Sequence, residues 1–306
     1  MEETGRNAGK GQLMLILAAI LWGSCFIFQK KGMEYIGPYT LGAFRFIIGG
    51  LVLLPVIFLF SKSKKTAVNE EESKPGQKLL WQGGLLCGAA LFLAASLQQI
   101  GLVYTTAGKA AFLTSMEIVA VEILGFLLIR KLSLNKAAGV ALAVLGMYLL
   151  CISNGFTMQF GDVLEGIGAL FWGVQILLID KYSKVLDAMK LCFIQFIFAG
   201  FLSAIGMFIF EKPGLKAIYA CAVPILYTAI VEVAICYTLQ AIGQKYVTPV
   251  VAAVTLSLEA VFAAIFGAVF LHEALSGREI GGMVLMLLAV IVIQIPVKRM
   301  LVWIRK

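Results

Sequence analysis

Long apolar stretches separated by short polar ones follow one another along the whole chain. Each stretch has about 17 to 25 residues, enough to cross about 30 Å of hydrocarbon as a helix rising 1.5 Å per residue. The two-residue alternation of membrane barrel strands is absent. The pattern therefore predicts ten transmembrane helices, at residues 12–29, 38–60, 79–103, 107–129, 136–153, 162–180, 189–210, 217–243, 248–271 and 277–296.

The composition agrees with this pattern. Of the 306 residues, 61% are hydrophobic and 14% are charged, and the mean hydropathy is +0.96. Soluble domains have only about 45 to 50% apolar residues. We therefore predict an all-α integral membrane protein that is surrounded by the lipid bilayer and has almost no soluble domain.

Neither the cysteines nor the glycine-rich runs indicate a cofactor. The six cysteines lie in or beside apolar stretches and lack the paired spacing of a metal site. The glycine-rich runs at 83–90 and 277–282 are not followed by a phosphate-loop lysine. The sequence therefore predicts neither a metal nor another cofactor.

The net charge of +8 comes from lysines and arginines placed mostly in short loops beside helix ends. This placement is typical of a membrane topology signal and does not predict nucleic-acid binding. The basic loops predict that the N-terminal segment 1–11 and the basic C-terminal segment 297–306 are both cytoplasmic. We expect a multi-pass protein of the plasma membrane, and a bacterial one.

Short motifs recur at a fixed spacing in the two halves of the chain. "AILWG" at 19–23 returns as "ALFWG" at 169–173, 150 residues later. "FRFI" at 44–47 returns at the same spacing as "IQFI" at 194–197. Predicted helices 1 and 2 therefore match predicted helices 6 and 7.

A longer alignment continues the repeat. The segment 97–125 aligns without gaps with the segment 239–267, 142 residues later. The hydrophilic linker at 61–78 accounts for the difference in spacing. The sequence thus predicts two five-helix repeats, at 12–153 and 154–296.

The odd number of helices in each repeat has a topological consequence. The second repeat must enter the membrane from the opposite side, so we predict two inverted repeats. Many secondary transporters have this architecture, because one repeat can rock against the other around a site between them. A channel can also be built from such repeats, so symmetry alone does not establish transport.

Several motifs together resemble a known family. They are the "WG" pair, "LEAVFAAIFGAVFLHEAL" at 258–275 and "REIGGMVLMLLAV" at 278–290, in a chain of ten predicted helices. The chain resembles the EamA-type branch of the drug/metabolite transporter superfamily over nearly its whole length. The resemblance implies a ten-helix transporter of small molecules.

Glu117 and Glu259 occupy matching positions near the middle of predicted helices 4 and 9. A charge at mid-bilayer costs roughly 2.5 to 3.5 kcal/mol, so such a side chain normally faces a cavity or a partner. One interpretation is a symmetric pair that lines a central cavity and couples transport to protons. The other is a structural pair, protonated or hydrogen-bonded to neighbouring helices. The sequence leaves both open.

Three of the charged side chains that lack a charged counterpart in the other repeat are candidates for substrate binding, because a substrate without twofold symmetry requires asymmetric contacts. They are Glu122, opposite Ala264; Glu232, opposite Ala90; and Arg45, opposite Gln195. Glu122 follows Glu117 by five residues, about 140° around a helix, so the two cannot share a face. For Glu122 and Glu232 a structural role is the alternative, whereas Arg45 can either attract a substrate carboxylate or form an ion pair with a glutamate.

Amides and tryptophans complete the candidate cavity. Gln98 and Gln240 match in the two repeats, and Gln175 is a further amide in an apolar stretch. Such amides can orient a polar ligand or bond neighbouring helices. Trp22 and Trp172 belong to the "WG" pair, and the family resemblance implies that they border the cavity, with anchoring at the membrane interface as the alternative.

From these observations we expect a secondary active transporter that exports a small metabolite or amino-acid-like compound by alternating access. H⁺ is the candidate coupling ion, and the protein is expected to act as a monomer or homodimer. A passive channel or facilitator and a non-transporting membrane scaffold stay open as alternatives. We do not expect an enzyme, because the only histidine, His272, has no second histidine or paired cysteine ligands beside it.

Overall fold

The computed structural model describes residues 2–65, 74–105, 107–129, 134–152, 158–270 and 275–294. Within these residues the chain is mostly helical and contains no strand. The helices are α1 (Glu2–Gly32), α2 (Pro38–Lys65), α3 (Lys74–Tyr104), α4 (Ala107–Thr114), α5 (Glu117–Ile129), α6 (Leu134–Cys151), α7 (Phe160–Ser183), α8 (Ala188–Gly206), α9 (Leu215–Ala220), α10 (Ala222–Tyr227), α11 (Thr238–Gly243), α12 (Pro249–Leu256), α13 (Glu259–Phe270) and α14 (Gly277–Gln294). Two further stretches are π-helical, Met207–Glu211 and Thr228–Tyr237.

Among the described residues, nine helical segments are long and apolar enough to cross a membrane. They are Asn7–Gly32, Pro38–Leu59, Gly76–Tyr104, Ala110–Leu127, Leu134–Cys151, Phe160–Ser183, Ala188–Glu211, Ala222–Gly243 and Pro249–Phe266. The predicted all-helical, multi-pass membrane protein is confirmed. The tenth predicted helix corresponds to α14, which is not one of the nine, so the count of ten stays a prediction.

Some predicted features lie outside the described part of the chain. The basic C-terminus at 297–306 and His272 are among them. The hydrophilic linker at 61–78 is described only at its two ends, where α2 continues to Lys65 and α3 begins at Lys74.

The helix predicted at 107–129 is interrupted in its middle. The amide of Met116 donates to the carbonyl oxygen of Leu113 at 3.0 Å, and that of Ile118 donates to Ser115 at 3.1 Å. Both bonds reach three residues back, a tighter spacing than the four residues of an α-helix. The hydroxyl of Ser115 donates to the Ala111 carbonyl oxygen at 2.8 Å. Such side-chain bonds to a preceding carbonyl often bend helices.

The helix predicted at 248–271 has the same interruption. Leu258 donates to Thr255 at 3.2 Å and Ala260 to Ser257 at 3.3 Å, again three residues back. Each of these residues lies 142 positions after its counterpart in the first break. A serine hydroxyl again donates to a preceding carbonyl, from Ser257 to Val254 at 2.9 Å. The two breaks therefore share one backbone hydrogen-bond pattern.

Helices from one half of the chain pack against helices from the other. α1 contacts α10, α11, α12, α13 and the stretch Thr228–Tyr237, whereas α7 contacts α3, α4 and α5. α2 packs along α8, and α6 packs along α14. One of two large clusters of buried apolar side chains joins α5, α6, α12, α13 and α14.

Glycines permit the closest of these crossings. A Cβ atom on Gly23 of α1 would lie 2.8 Å from the amide nitrogen of Ala263 in α13. A Cβ atom on Gly173 of α7 would lie 2.8 Å from the Cβ atom of Ala120 in α5. Contacts this short are too close for a side chain, so the paired "WG" glycines let α1 and α7 approach the broken helices.

Candidate functional site

A small cavity lies where α1 and α7 approach the helix breaks and the stretch Thr228–Tyr237. Its volume is about 50 Å³, which is room for about four water molecules. Its lining comprises three carboxylates, three amides, four aromatic rings and three smaller side chains. They are Glu117, Glu232 and Glu259; Gln29, Gln98 and Gln240; Trp22, Phe26, Trp172 and Tyr237; and Thr114, Ile176 and Leu256.

Both symmetric glutamates begin a helix segment at the cavity. Glu117 is the first residue of α5, and Glu259 is the first residue of α13. The partial positive charge at a helix N-terminus favours a carboxylate there. Both carboxyl groups line the same cavity. The helix breaks therefore place two acidic groups from different halves of the chain at one cavity.

The third carboxylate belongs to a buried ion pair. Nη1 of Arg45 donates to Oε1 of Glu232 at 2.8 Å, and both side chains are almost fully buried. Arg45 lies behind Glu232 and is not part of the lining. Gln29 lies beside Glu232 and accepts a hydrogen bond from Gln99. Arg45 thus holds the Glu232 carboxylate from one side while the other side faces the cavity.

The π-helical stretch Thr228–Tyr237 explains why both Glu232 and Tyr237 face this cavity. These residues are five positions apart, which in an α-helix would separate them by about 140°. A π-helix bonds residues five apart and so places them nearly one above the other. The local widening of the helix brings an acidic and an aromatic side chain to the same wall.

Three rings form a cluster in the cavity wall. The Tyr237 ring packs edge-on against Trp22, with centroids 4.9 Å apart, and is stacked with Trp172 at 6.2 Å. The two tryptophans come from the paired "WG" motifs of α1 and α7. The two matching motifs therefore converge on one tyrosine.

The two amides that match in the repeats, Gln98 and Gln240, belong to different hydrogen-bond chains. Nε2 of Gln240 donates to Oε1 of Gln175 at 3.2 Å. Nε2 of Gln98 donates to Oγ1 of Thr114 at 3.3 Å, and Thr114 in turn donates to Oε2 of Glu165 at 2.8 Å. Glu165 is fully buried behind the lining. Gln175 likewise supports the lining without being part of it.

Glu122 does not reach this cavity. It lines a separate groove of about 560 Å³ between α4–α5 and α6, together with apolar side chains such as Val119 and Val140 and the rings of Phe112 and Tyr148. The angle of about 140° from Glu117 accounts for this separation.

The structure therefore brings together seven of the ten predicted site residues, namely Trp22, Gln98, Glu117, Trp172, Glu232, Gln240 and Glu259. Arg45 and Gln175 directly support that lining, and Glu122 lies elsewhere. The sequence reasoning missed Phe26, Gln29, Thr114, Tyr237 and the buried Glu165. Glu165 alone carried a signal in the sequence, as a carboxylate within an apolar stretch.

No group of three or more histidine, cysteine, aspartate or glutamate side chains in the described ranges could hold a metal ion. The site consists of carboxyl, amide and aromatic groups around a narrow space. Such a lining can bind and orient a small polar molecule.

The sequence profile of the EamA-like transporter family matches the chain twice, over residues 9–152 and 159–295. The chain belongs to the EamA-like transporter family. The resemblance seen in the sequence is therefore confirmed, and the protein is a membrane transporter. Family membership implies a small-molecule substrate and a bilayer environment, and it points away from an enzyme.

Three relatives are similar to this chain over most of its length. An uncharacterized transporter of Archaeoglobus fulgidus is 32% identical over 93% of this chain and 86% of its own length. An uncharacterized transporter of Methanothermobacter thermautotrophicus is 25% identical over 90% and 84%. The uncharacterized transporter YoaV of Bacillus subtilis is 22% identical over 90% and 94%.

A solved crystal structure shares the fold. It superposes with a TM-score of 0.74 over 94% of this chain and 96% of its own chain, at 18% sequence identity. At this identity the match concerns the fold alone.

Proposed function

We propose that this protein is a secondary active transporter that exports a small metabolite or amino-acid-like compound by alternating access. The observation that carries the proposal is the pair of identical helix breaks that meet at one polar cavity. Discontinuous helices at a site between two repeats are typical of secondary transporters. We propose that the repeats are inverted and that ten helices cross the membrane.

Matched packing in the two halves supports the inverted repeats. A Cβ atom on Gly11 would lie 2.7 Å from the Gly243 carbonyl oxygen, and one on Gly161 would lie 2.6 Å from the Gly101 carbonyl oxygen. These contacts follow the spacings of 150 and 142 residues found in the sequence. The contact of Gly23 with Ala263 and the contact of Gly173 with Val121 are related by the same two spacings.

The size of the cavity supports a change of conformation during transport. Sites for small organic ligands commonly have volumes of about 300 to 1,000 Å³, several times the volume of about 50 Å³ found here. A metabolite can therefore enter only when the helices around the cavity separate. Rocking of one repeat against the other, with the helix breaks as flexible points, provides that opening.

We assign coupling to Glu117 and Glu259. If both are ionised in this narrow cavity, the two carboxylates repel each other. Binding of a proton reduces that repulsion and favours closure of the helices around them. H⁺ is thus the coupling ion in this proposal, and Glu122, which lies outside the cavity, has no part in it.

The basic loops support a plasma-membrane topology with both termini in the cytoplasm. The proposed direction is export, so the substrate enters from the cytoplasm and leaves on the opposite side. The transporter works as a monomer or homodimer, because the cavity is formed within one chain.

Reconstitution into liposomes tests the proposal. A panel of radiolabelled metabolites is offered with and without a pH gradient, and accumulation inside the vesicles is measured. We expect at least one compound to accumulate only with the gradient, and we expect Glu117→Gln and Glu259→Gln to abolish that accumulation. Full gradient-driven accumulation in both variants would overturn the assignment of coupling to this pair.

A further inference from the structure

We propose that the central cavity binds a protonated amine, with the ammonium group held by Glu232 and the aromatic cluster of Trp22, Trp172 and Tyr237. This inference rests on the proposed transport function and specifies the chemistry of its substrate. It also gives the carboxylates different roles. The unmatched Glu232 recognises the substrate, and the matched pair, Glu117 and Glu259, couples transport to protons.

The charge of the lining favours a cation. Three carboxylates face the cavity, and no lining side chain within the described part of the chain is basic. The guanidinium of Arg45 offsets the charge of Glu232, so the attraction for a cation comes from the three carboxylates together, and Glu232 contributes a hydrogen-bond acceptor. Anionic groups that are shielded from water require compensation by positive charge. A substrate that carries an ammonium group supplies it, whereas a carboxylate substrate would add to the repulsion.

Unused hydrogen-bond acceptors point in the same direction. Oε1 of Glu232 accepts from Arg45 and the Gln29 side chain lies beside the carboxylate, but among the described residues no donor has hydrogen-bond distance and geometry to the Oε2 atom. Oε1 of Gln240 is also without a donor, because the side chain donates through Nε2 to Gln175. Both residues are at least nine-tenths buried and line the cavity. A buried acceptor without a donor is unfavourable, so the ligand is expected to bring N–H groups, and Nε1 of Trp172, a buried donor of the same lining without an acceptor, suits an oxygen atom of the ligand.

The aromatic cluster suits the same ligand. Faces of tryptophan and tyrosine attract cations, and rings of this kind form the usual receptor for organic ammonium groups. The π-helical stretch presents Tyr237 directly along the wall from Glu232. Gln240 follows farther along the same wall, where it can accept from a second donor on the substrate. The geometry therefore points to an amine that carries an apolar or aromatic body and a further N–H or O–H group.

Equilibrium dialysis of the purified full-length protein in detergent tests this inference with three compounds of similar shape. They are radiolabelled phenethylamine, its neutral N-acetyl derivative and anionic 3-phenylpropionate. We expect binding of the amine alone. Glu232→Gln removes a charged hydrogen-bond partner and is expected to weaken amine binding about ten-fold or more. Glu122→Gln, which changes a carboxylate outside the cavity, is the matched control and should bind the amine like the native protein.

A second variant separates recognition from folding. Glu232→Gln leaves Arg45 without its partner, so Arg45→Gln/Glu232→Gln is tested beside it, with thermal unfolding of both. Weak amine binding in a variant that unfolds like the native protein supports the inference. Undiminished amine binding in the double variant, or equal binding of the three compounds to the native protein, overturns it.

The amine inference and the transport proposal can fail separately. If liposomes accumulate only anionic or neutral compounds of the metabolite panel and no amine binds, the amine inference fails while the transport proposal stands. If the amine binds through Glu232 and no compound of the panel accumulates, the binding site stands and the transport proposal fails.

Discussion

The two broken helices of this transporter have the same backbone and different surroundings. In α4–α5 the residue before the break, Thr114, bonds the buried carboxylate of Glu165 on α7. The matching residue before the break in α12–α13 is Leu256, and it packs with the buried Leu15 of α1, the counterpart of Glu165. The repeat therefore preserves the interruption of the helix but not the polar chemistry behind it.

This difference separates two requirements of a transporter. A helix that must bend needs its bend in both halves if the halves exchange roles during a transport cycle. A substrate without twofold symmetry instead needs contacts that occur once. The Glu232–Arg45 and Glu165–Thr114 contacts occur in one half only, whereas Glu117 and Glu259 are matched.

The largest effect is expected from breaking the unmatched ion pair. Arg45→Leu leaves the buried Glu232 carboxylate without its partner, which is expected to destabilise the protein by about 3 to 5 kcal/mol. Arg45→Leu/Glu232→Leu removes both charges and should restore most of that stability. Thermal unfolding of the detergent-purified variants measures both effects. A double variant no more stable than Arg45→Leu would contradict this account of the pair.

The matched helix crossings should respond alike. Gly23→Ala and Gly173→Ala each place a methyl group 2.8 Å from an atom of the broken helix, and overpacking of this kind costs about 1 to 3 kcal/mol. We expect the larger loss at Gly23, because backbone atoms lie in its way. Gly166→Ala is the control, since no atom lies within 4 Å of its added methyl group. Unchanged thermal unfolding of both crossing variants would show that the crossings tolerate a side chain.

The hydrogen bond from Thr114 to Glu165, behind the break in α4–α5, should contribute to stability in the first half of the chain only. Thr114→Val leaves Oε2 of Glu165 without its donor, at an expected cost of about 1 to 3 kcal/mol. Thr114→Leu/Glu165→Leu copies the apolar arrangement of the second half and should be more stable than Thr114→Val. Thermal unfolding again provides the comparison, and the opposite order of stability would count against the role given to this bond.

The smallest effect is expected at Glu122. Its side chain lies outside the central cavity, so Glu122→Gln should change the free energy of unfolding by no more than about 0.5 kcal/mol. Gradient-driven accumulation should also stay at the native level. A marked loss of accumulation in this variant would show that the separate groove lined by Glu122 takes part in transport.

The sequence predicted the larger features of the molecule because they depend on patterns that extend over many residues. Apolar length marked the membrane helices, and the recurrence of Glu117 as Glu259 identified a pair that does meet at one cavity. Intramembrane polar groups are costly wherever they occur, so their presence was a usable signal for Gln98, Gln240 and Glu232 as well.

Local backbone geometry could not be predicted in the same way. Ser115 and Ser257 are ordinary residues in an apolar stretch, and only their hydrogen bonds to preceding carbonyls show that the helices are interrupted there. The π-helical stretch, which brings Tyr237 to the cavity, left no pattern in the sequence. Phe26 was indistinguishable from a lipid-facing phenylalanine, because in a membrane helix both faces are apolar.

Counterflow in proteoliposomes tests the central claim, alternating access through the central cavity, most directly. Vesicles are loaded with an excess of an unlabelled compound that the panel identifies as transported, and the same compound is then added outside in radiolabelled form at trace concentration. Alternating access predicts that the label rises transiently inside above its outside concentration, because each outward passage of unlabelled compound returns the site to the other side. A label that only equilibrates, at a rate that does not saturate, would contradict alternating access and indicate a channel.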